Sequence, residues 1–225
     1  MTEKLRQESI SPILNKVGQF VTSPLVRNVV NNTTSSFSIA DVMDQGKILL
    51  VNVSQGKLGE NNAALLGAMV ITQIQLAAMG RVYLEEKDRR DFFLYVDEFQ
   101  NFATTSFVNI LAEARKFRLS LIMSNQYINQ IPPEVQDAIF GNVGTVGSFL
   151  MGADDAAKMQ KEFENLYTTD DLVSLGRYQI VMKLLIDSMT SRPFPAWTLP
   201  LASSSNQGKE KVLKVSRERW ARALE

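Results

Sequence analysis

Apolar runs alternate with amphipathic stretches along the chain, and this alternation predicts strands followed by helices. The apolar runs cover 47–53, 92–96, 119–125, 143–152 and 178–187. The amphipathic stretches between them cover 38–46, 61–80, about 105–117, 132–142, 153–166 and 168–175. Apolar runs without a helical stripe are typical of strands buried on both faces, and strands alternating with helices favour a mostly parallel sheet. We therefore expect an α/β fold with helices on both faces of the sheet.

Breaks in this pattern predict three segments. Residues 1–38 mix short helical patterns with prolines and form a predicted helical lead-in, whereas 39–200 form the predicted core. Within the core, PFPAWTLP at 193–200 leaves the regular alternation. Residues 201–225 form a predicted linker and a basic helical tail.

The composition removes several kinds of chemistry. The 225 residues include no cysteine and no histidine, which excludes disulfides, Cys/His zinc sites and nucleophiles that depend on either residue. Carboxylates, amides, hydroxyls, lysine, arginine and hard cations remain. Lys and Arg together number 24, as do Asp and Glu, so any contact with nucleic acid must come from local patches.

The longest apolar stretch runs from Ala63 to Met79 and includes Thr72, Gln73 and Gln75. A membrane span usually needs about 20 predominantly apolar residues, so we interpret this 17-residue stretch as a buried core helix. The polar start MTEKLRQESI does not read as a signal peptide. We expect the chain as given to be soluble and cytoplasmic.

Two adjacent acids follow the apolar run 92–96. Asp97 and Glu98 stand at the end of a predicted buried strand, where a carboxylate is costly unless it is paired or holds a metal. The carboxyl edge of an α/β sheet is also where ligands bind. A phosphate-bound magnesium ion explains this placement, and so does a helix cap that follows the strand.

Two downstream residues are candidates for the same edge. Gln126 stands 29 residues after Asp97 and follows the next apolar run, and its amide can hold an attacking water or contact a γ-phosphate. Arg115 stands 18 residues after Asp97, and its planar fork suits a phosphate, including one in a neighbouring subunit. The alternatives are a surface amide and, for Arg115, Lys116 and Arg118, cations that complement a helix C-terminus.

Together these motifs resemble a known family. The stretches that carry the resemblance are VNVSQGKLG, VDEFQNFAT, LAEARKFRLSLIMSNQYINQIP, FGNVGT and YQIVMKLLIDSMTSRPFPAWTL. They look like the ATPase domain of TraG/TraD-like coupling proteins of type IV secretion and conjugation, which belong to the HerA/FtsK group of RecA-like motors. The resemblance covers roughly 39–199, and its most specific parts are the DEFQNF box and the segment from Arg115 to Gln126.

The resemblance implies a RecA-like P-loop NTPase fold and a role for each candidate residue. Asp97 and Glu98 resemble the Walker B acids, with Asp97 at the Mg²⁺ of Mg-ATP, directly or through water, and Glu98 at the attacking water. Gln126 resembles the sensor glutamine. Arg115 resembles an arginine finger that acts across a ring interface.

The same resemblance implies partners and a location. Proteins of this family are hexamers at the cytoplasmic face of the inner membrane, and they drive single-stranded DNA or nucleoprotein toward a secretion channel. The segment after Glu98 corresponds to the region that recognises a relaxosome protein, the TraM recognition site of the family.

One departure from the family limits these expectations. A phosphate-binding loop needs G-x-x-x-x-G-K-[ST], whereas Gly-Lys occurs only at 46–47, 56–57 and 208–209 and is never followed by Ser or Thr. The family's N-terminal transmembrane segment is also missing from the sequence. We therefore expect only the C-terminal part of a motor domain, which needs a Walker A-bearing segment to use Mg²⁺ and ATP and does not hydrolyse ATP appreciably alone.

Two other functions remain open at this point. One is a non-catalytic α/β module, derived from such an ATPase, that binds a relaxosome partner or assembles a ring. The other is a nucleic-acid binder that uses the tail, where Trp220 stands among Lys214, Arg217, Arg219 and Arg222. An amphipathic helix that docks Leu213, Trp220 and Leu224 on the protein is the structural alternative for the tail.

Two further patterns are interpreted as structural. The acidic pairs 154–155 and 170–171 stand at predicted helix starts, where they suit N-caps and the helix dipole. Gly141, Gly144 and Gly147 do not fit G-x-G-x-x-G, and we expect them to permit close packing or tight turns around a strand.

Overall fold

The computed structural model describes residues 10–11, 18, 22–104, 106–202 and 208–221, and it confirms the mixed α/β class. The α-helices are α1 (Pro24–Val30), α2 (Ile39–Asp44), α3 (Gln55–Leu58), α4 (Glu60–Gly80), α5 (Ser106–Glu113), α6 (Pro133–Asn142), α7 (Ala153–Glu162), α8 (Thr169–Val173) and α9 (Gly208–Trp220). Short 3₁₀ turns cover Arg81–Tyr83, Glu86–Asp88, Phe99–Asn101, Ala114–Phe117 and Ile128–Gln130.

The strands form small sheets instead of the single, mostly parallel sheet that the sequence predicts. They are β1 (Phe92–Val96), β2 (Leu119–Met123), β3 (Val146–Ser148), β4 (Gln179–Lys183), β5 (Leu185–Ile186), β6 (Met189–Thr190) and β7 (Phe194–Trp197). β1 and β2 are parallel, whereas β3–β4–β7 and β5–β6 are antiparallel. The link from β4 to β7 contains only the β5–β6 hairpin and is too short for the crossover that parallel strands need.

The chain divides into two compact units, one formed by 1–92 with 206–225 and the other by 93–205. This division falls inside the predicted core 39–200. The predicted segment bounds stay a prediction, and the lead-in before residue 22 lies mostly outside the described residues.

The first unit is organised around α4. Its buried residues are Ala63, Gly67, Ile71, Ile74 and Ala78. α2 begins as predicted, because the Ser38 hydroxyl accepts from Asp41 N at 3.3 Å. Arg81, 2% exposed, then links the end of α4 to α2 through 2.9 Å contacts with Asp44.

The buried strand predicted at 47–53 is wrong. These residues lie in no helix or strand, and Ile48 and Leu50 are 88% and 75% exposed. An apolar run becomes a strand only if another strand pairs with its backbone, and no described strand does so here.

α4 is less buried than a core helix is expected to be. The stretch Glu60–Tyr83 is long and apolar enough to cross a membrane by length and composition, and 28% of its most apolar window is buried. Ala63 and the residues that share its face supply that burial, whereas Leu76 and Met79 are exposed. The core-helix interpretation therefore describes one face of α4.

The second unit has a continuous apolar core between α7, α8 and β4. Ala156, Met159, Phe163, Leu172 and Val181 are its buried members, and each is at most 4% exposed. α8 begins with a capping box, in which Thr168 Oγ1 accepts from Asp171 N at 3.2 Å and Asp171 Oδ2 accepts from Thr168 N at 2.8 Å. The pair 170–171 therefore lies in the first turn of α8 as expected, but the N-cap is Thr168, and Asp171 takes the third helical position of its capping box.

β7 lies in the segment that the sequence pattern left without a regular element. Phe194–Trp197 pairs antiparallel with β4, with Pro195 opposite Val181. Proline is tolerated there because β7 is an edge strand, where a missing N–H need not break a ladder. The prolines at 193 and 195 hid this strand from pattern analysis.

The predicted helical tail is present as α9. Trp220 packs edge-on against Phe37, with ring centroids 5.9 Å apart, and Lys47 Nζ lies 5.8 Å from its ring centroid. Leu213 is 45% exposed, and Leu224 lies outside the described residues. Trp220 makes these ring contacts but is still 40% exposed, and α9 has no buried residue, so the docking of a buried apolar face stays a prediction.

Candidate functional site

The site is built where the parallel strands β1 and β2 end. Ser124 N donates to Val96 O at 3.0 Å, and Phe99 N donates to Ser124 O at 2.8 Å. These two bonds extend the strand pairing past the last strand residues. The loops that carry 97–100 and 124–126 are therefore held side by side.

A buried aromatic pair anchors the turn that follows β1. Phe99 is 1% exposed and contacts Phe107 of α5 edge to face, with centroids 4.7 Å apart. Glu98, immediately before it, adopts the left-handed conformation with φ 50° and ψ 48°. Such a conformation costs about 1–3 kcal/mol in a residue with a side chain and is often found at functional sites. Here it turns the chain so that Phe99 enters the core while the acids stay at the surface.

Asp97 is oriented by its neighbours. Its Oδ1 accepts from Ser124 Oγ at 2.6 Å and from Glu98 N at 3.1 Å. Its Oδ2 makes no hydrogen bond within the described ranges, and the residue is exposed. One oxygen of this carboxylate thus fixes its orientation while the other is open to a ligand.

Glu98 is held by two amides. Its Oε1 accepts from Gln126 Nε2 at 2.9 Å, and its Oε2 accepts from Gln100 Nε2 at 2.5 Å. The structure therefore brings Asp97, Glu98 and Gln126 together at one edge. It does not support the helix-cap alternative, because the Glu98 side chain makes no capping bond to the turn that follows.

Arg115 is not part of this cluster. It lies exposed in the 3₁₀ turn Ala114–Phe117, and none of the described contacts joins it to the acids or to Gln126. Its neighbour Lys116 pairs with Glu113 at 3.4 Å. The arginine-finger role thus remains a prediction for a contact between subunits.

Two members of the cluster were missed by sequence reasoning. Ser124 directly follows β2, and the rule that parallel strands align their carboxyl ends was sufficient to include it with Gln126. Gln100 carried no comparable signal, because its contact with Glu98 depends on the left-handed turn between them. The sequence alone does not show that turn.

The acidic pair 154–155 lies in the first turn of α7, where it suits the helix dipole as expected, but neither acid is the N-cap. α7 has Gly152 at its N-cap and no side-chain capping bond. Asp155 is 5% exposed, and its Oδ2 accepts from Ile128 N at 3.0 Å, in the loop that follows Gln126. This carboxylate holds a loop near the candidate site and does not cap its own helix.

Metal binding by protein groups alone is not indicated. Within the described part of the chain, no group of three or more acidic side chains could hold a metal ion. The donor set at the edge is the exposed Asp97 carboxylate with the Ser124 hydroxyl beside it. These oxygens suit a hard cation that receives its other ligands from phosphate and water.

Comparisons with known proteins do not identify the chain. No protein-family model matches it, and no curated protein matches it significantly.

Proposed function

We propose that this chain is the C-terminal portion of a DNA-translocating coupling ATPase of the TraG/TraD-like type. The observation that carries the proposal is the 2.9 Å hydrogen bond from Gln126 Nε2 to Glu98 Oε1, beside Asp97, at the carboxyl end of a parallel strand pair. Ligands of α/β proteins bind at that edge. Phosphoryl transfer needs little covalent chemistry from the protein, but it needs groups that position a metal ion and a water.

Asp97 is the residue proposed for the Mg²⁺ that accompanies ATP, directly or through a water. Ser124 and the backbone of Glu98 hold one of its oxygens, and the other is open. Mg²⁺ in such sites usually takes one or two carboxylates together with phosphates and waters. A single oriented aspartate is therefore enough from this part of the protein.

Glu98 is proposed to polarise the attacking water, with Gln126 beside it. An ionised carboxylate has about four lone-pair positions, and the two amides use one on each oxygen. The remaining positions can accept the proton of a water. The Gln126 amide oxygen offers a second acceptor, so the water can be oriented as well as polarised.

Arg115 is proposed to act in a neighbouring subunit. It is exposed and lies away from the acids of its own chain, which is the condition for reaching a phosphate bound by another copy. The hexamer, the single-stranded DNA or nucleoprotein cargo, the relaxosome partner and the inner-membrane location belong to the same proposal.

The RecA-like core is proposed to be completed by a Walker A-bearing segment. Parallel strands are normally buried on both faces, whereas Phe93 and Tyr95 of β1 are 57% and 72% exposed. The exposed apolar face of this two-stranded parallel sheet supports a proposal in which it forms part of a larger sheet. Additional strands from such a segment would cover Phe93 and bring a phosphate-binding loop to Asp97.

The test is ATP turnover by the chain mixed with a Walker A-bearing segment encoded beside it. We expect turnover from the mixture and little from either part alone. Glu98→Gln should lower turnover by about 10²- to 10⁴-fold, the usual contribution of a general base. Glu164→Gln is the matched control, since Glu164 is an exposed glutamate that also adopts a left-handed conformation.

Three results would contradict the proposal. One is equal turnover by the mixture with Glu98→Gln and with Glu164→Gln. Another is robust turnover by the 225-residue chain alone that Glu98→Gln abolishes, because the chain would then need no second part. The last is a mixture that binds no Mg-ATP.

A non-catalytic binding module is the second candidate function. Both oxygens of Glu98 are engaged by amides, which is the arrangement of a satisfied structural carboxylate as well as of a poised base. In that case the mixture binds no Mg-ATP, and relaxosome proteins bind the chain equally with and without Glu98→Gln.

A further inference from the structure

A polar network anchors the loop that carries Gln126. Asp155 of α7 accepts from Ile128 N at 3.0 Å, and Gln136 of α6 donates to Ile128 O at 3.0 Å and to Ile131 O at 2.6 Å. Lys158 Nζ donates to Gln136 Oε1 at 2.8 Å and to Asn129 Oδ1 at 2.6 Å. We call Gln136, Asp155 and Lys158 the loop clamp.

The loop clamp is mostly buried and rests on the core. Asp155 and Gln136 are 5% and 9% exposed, and Lys158 is half-buried. Asp155 adjoins Ala156, a core residue that is fully buried, and Ile128 packs against the same core. The clamp therefore joins the buried core of the unit to a backbone position two residues after Gln126.

One feature of Asp155 has no explanation in stability alone. Its Oδ1 is buried without a hydrogen-bond partner within the described residues. A buried unpaired carboxylate oxygen is unfavourable, so such a group in a folded protein needs a reason.

We propose that Asp155 is a positioning residue, which through the loop clamp holds Gln126 against Glu98. The clamp holds both the N–H and the C=O of Ile128. The backbone at 126–128 therefore has little freedom to turn the Gln126 side chain away from Glu98. The catalytic meaning of this contact rests on the function proposed above. The contact itself does not, because it is a hydrogen bond between two side chains of this chain.

The test is the NMR signal of the Gln126 side-chain amide in the full 225-residue chain, assigned by its loss in Gln126→Leu. Glu98→Ala gives the signal position when the contact is absent. We expect Asp155→Ala to move the signal toward that position and to speed hydrogen exchange at Ile128 N. Asp155→Asn should leave both unchanged, because the Asn amide oxygen can still accept from Ile128 N.

A control separates positioning from general stability. Asp171→Ala removes a carboxylate from another helix start of the same unit and should lower the melting temperature without moving the Gln126 signal. If Asp155→Ala lowers the melting temperature but leaves the signal in place, the proposal is overturned. If Asp155→Ala does not fold, Lys158→Met tests the same clamp, and an unmoved signal in that variant overturns the proposal equally.

Turnover in the complemented mixture gives an independent measure. Asp155→Ala should lower kcat to the level of Gln126→Ala, and the double variant should be no slower than either single variant, because both act through one group. Additive losses would overturn positioning through Gln126. Failure of the mixture to turn over ATP contradicts the proposed function and leaves the NMR result as the test of the clamp.

Discussion

The two main sheets of this chain differ in how far their faces are buried by other described parts of the chain. β3–β4–β7 is antiparallel, and its central residue Val181 is completely buried beneath α7 and α8. β1–β2 is parallel, and Phe93 and Tyr95 on one of its faces are open to solvent. An antiparallel sheet can stand with one wet face, whereas a parallel sheet is normally covered on both. The first sheet is therefore packed against two helices of its own unit, whereas the second has an exposed apolar face beside the edge where polar residues converge.

The largest expected effect comes from comparing a substitution in the buried core with one on the exposed face of β1. Phe163→Ala removes a fully buried ring and should lower the free energy of unfolding by about 3–5 kcal/mol. Phe93→Ala removes an exposed ring and should change it by less than about 0.5 kcal/mol. Urea unfolding of the two variants measures both values. Equal losses would mean that the face of β1 is covered in solution.

The same two variants also test whether a Walker A-bearing segment covers the exposed face of β1. If that segment covers β1, Phe93→Ala should weaken association of the two parts, whereas Phe163→Ala should act on the isolated chain. Isothermal titration calorimetry of one part against the other measures the dissociation constant. An unchanged dissociation constant for Phe93→Ala would mean that the segment does not cover Phe93. The exposure of β1 would then no longer support the proposed completion of the sheet.

A smaller effect concerns close packing beside the antiparallel sheet. A Cβ on Gly144 would lie 2.5 Å from Leu185 Cδ2, whereas a Cβ on Gly141 would meet nothing within 4 Å. Gly144→Ala should therefore destabilise the chain by about 1–3 kcal/mol through overpacking. Gly141→Ala, in the last turn of α6, should be neutral or stabilising. Thermal unfolding of both variants checks the difference, and similar melting temperatures would show that Leu185 moves aside freely.

The smallest effect concerns the capping box of α8. The hydrogen bond from the Thr168 side chain, and then that from its backbone N–H, lowers the pKa of Asp171 below its ordinary value of 3.8. A lowered folded-state pKa adds stability above the unfolded pKa, and this stability disappears as the pH falls through the folded value. The melting temperature should therefore differ between the chain and Asp171→Asn at neutral pH, and the difference should shrink below pH 3.8.

Asp170→Asn is the control for that experiment. Asp170 stands in the same first turn but takes no part in the capping box. Its variant should show a smaller change at neutral pH. A difference for Asp171→Asn that persists unchanged into strong acid would mean that the capping bond does not depend on the charge.

The sequence predicted the acids and the glutamine of the site because strand ends follow a simple rule. β1 and β2 are recognisable as apolar runs, and parallel strands place their carboxyl ends together, so Asp97, Glu98 and Gln126 could be grouped in advance. Gln100 and Asp155 could not be grouped in this way. Their contacts depend on a left-handed residue and on the packing of α7, which no local pattern encodes.

The fold shows the same limit. The helices from α4 to α9 and the strands β1, β2 and β4 lie where the hydrophobic pattern predicts them. The expected burial of both faces of β1 and β2 is wrong, because more exposed residues alternate with more buried ones in both strands. The run 47–53 has the composition of a strand but no described partner, and β7 has a partner despite its proline. Strand formation depends on pairing between distant segments, so composition alone gave the wrong answer in both directions.

The proline in β7 also limits how copies of this chain can associate. Pro195 has no N–H to offer a strand from another molecule, and β7 and β3, the two edges of the sheet, are only four and three residues long. Addition of a strand from another copy to this sheet is therefore discouraged. A contact between copies at this sheet would have to be made by side chains instead of by backbone pairing.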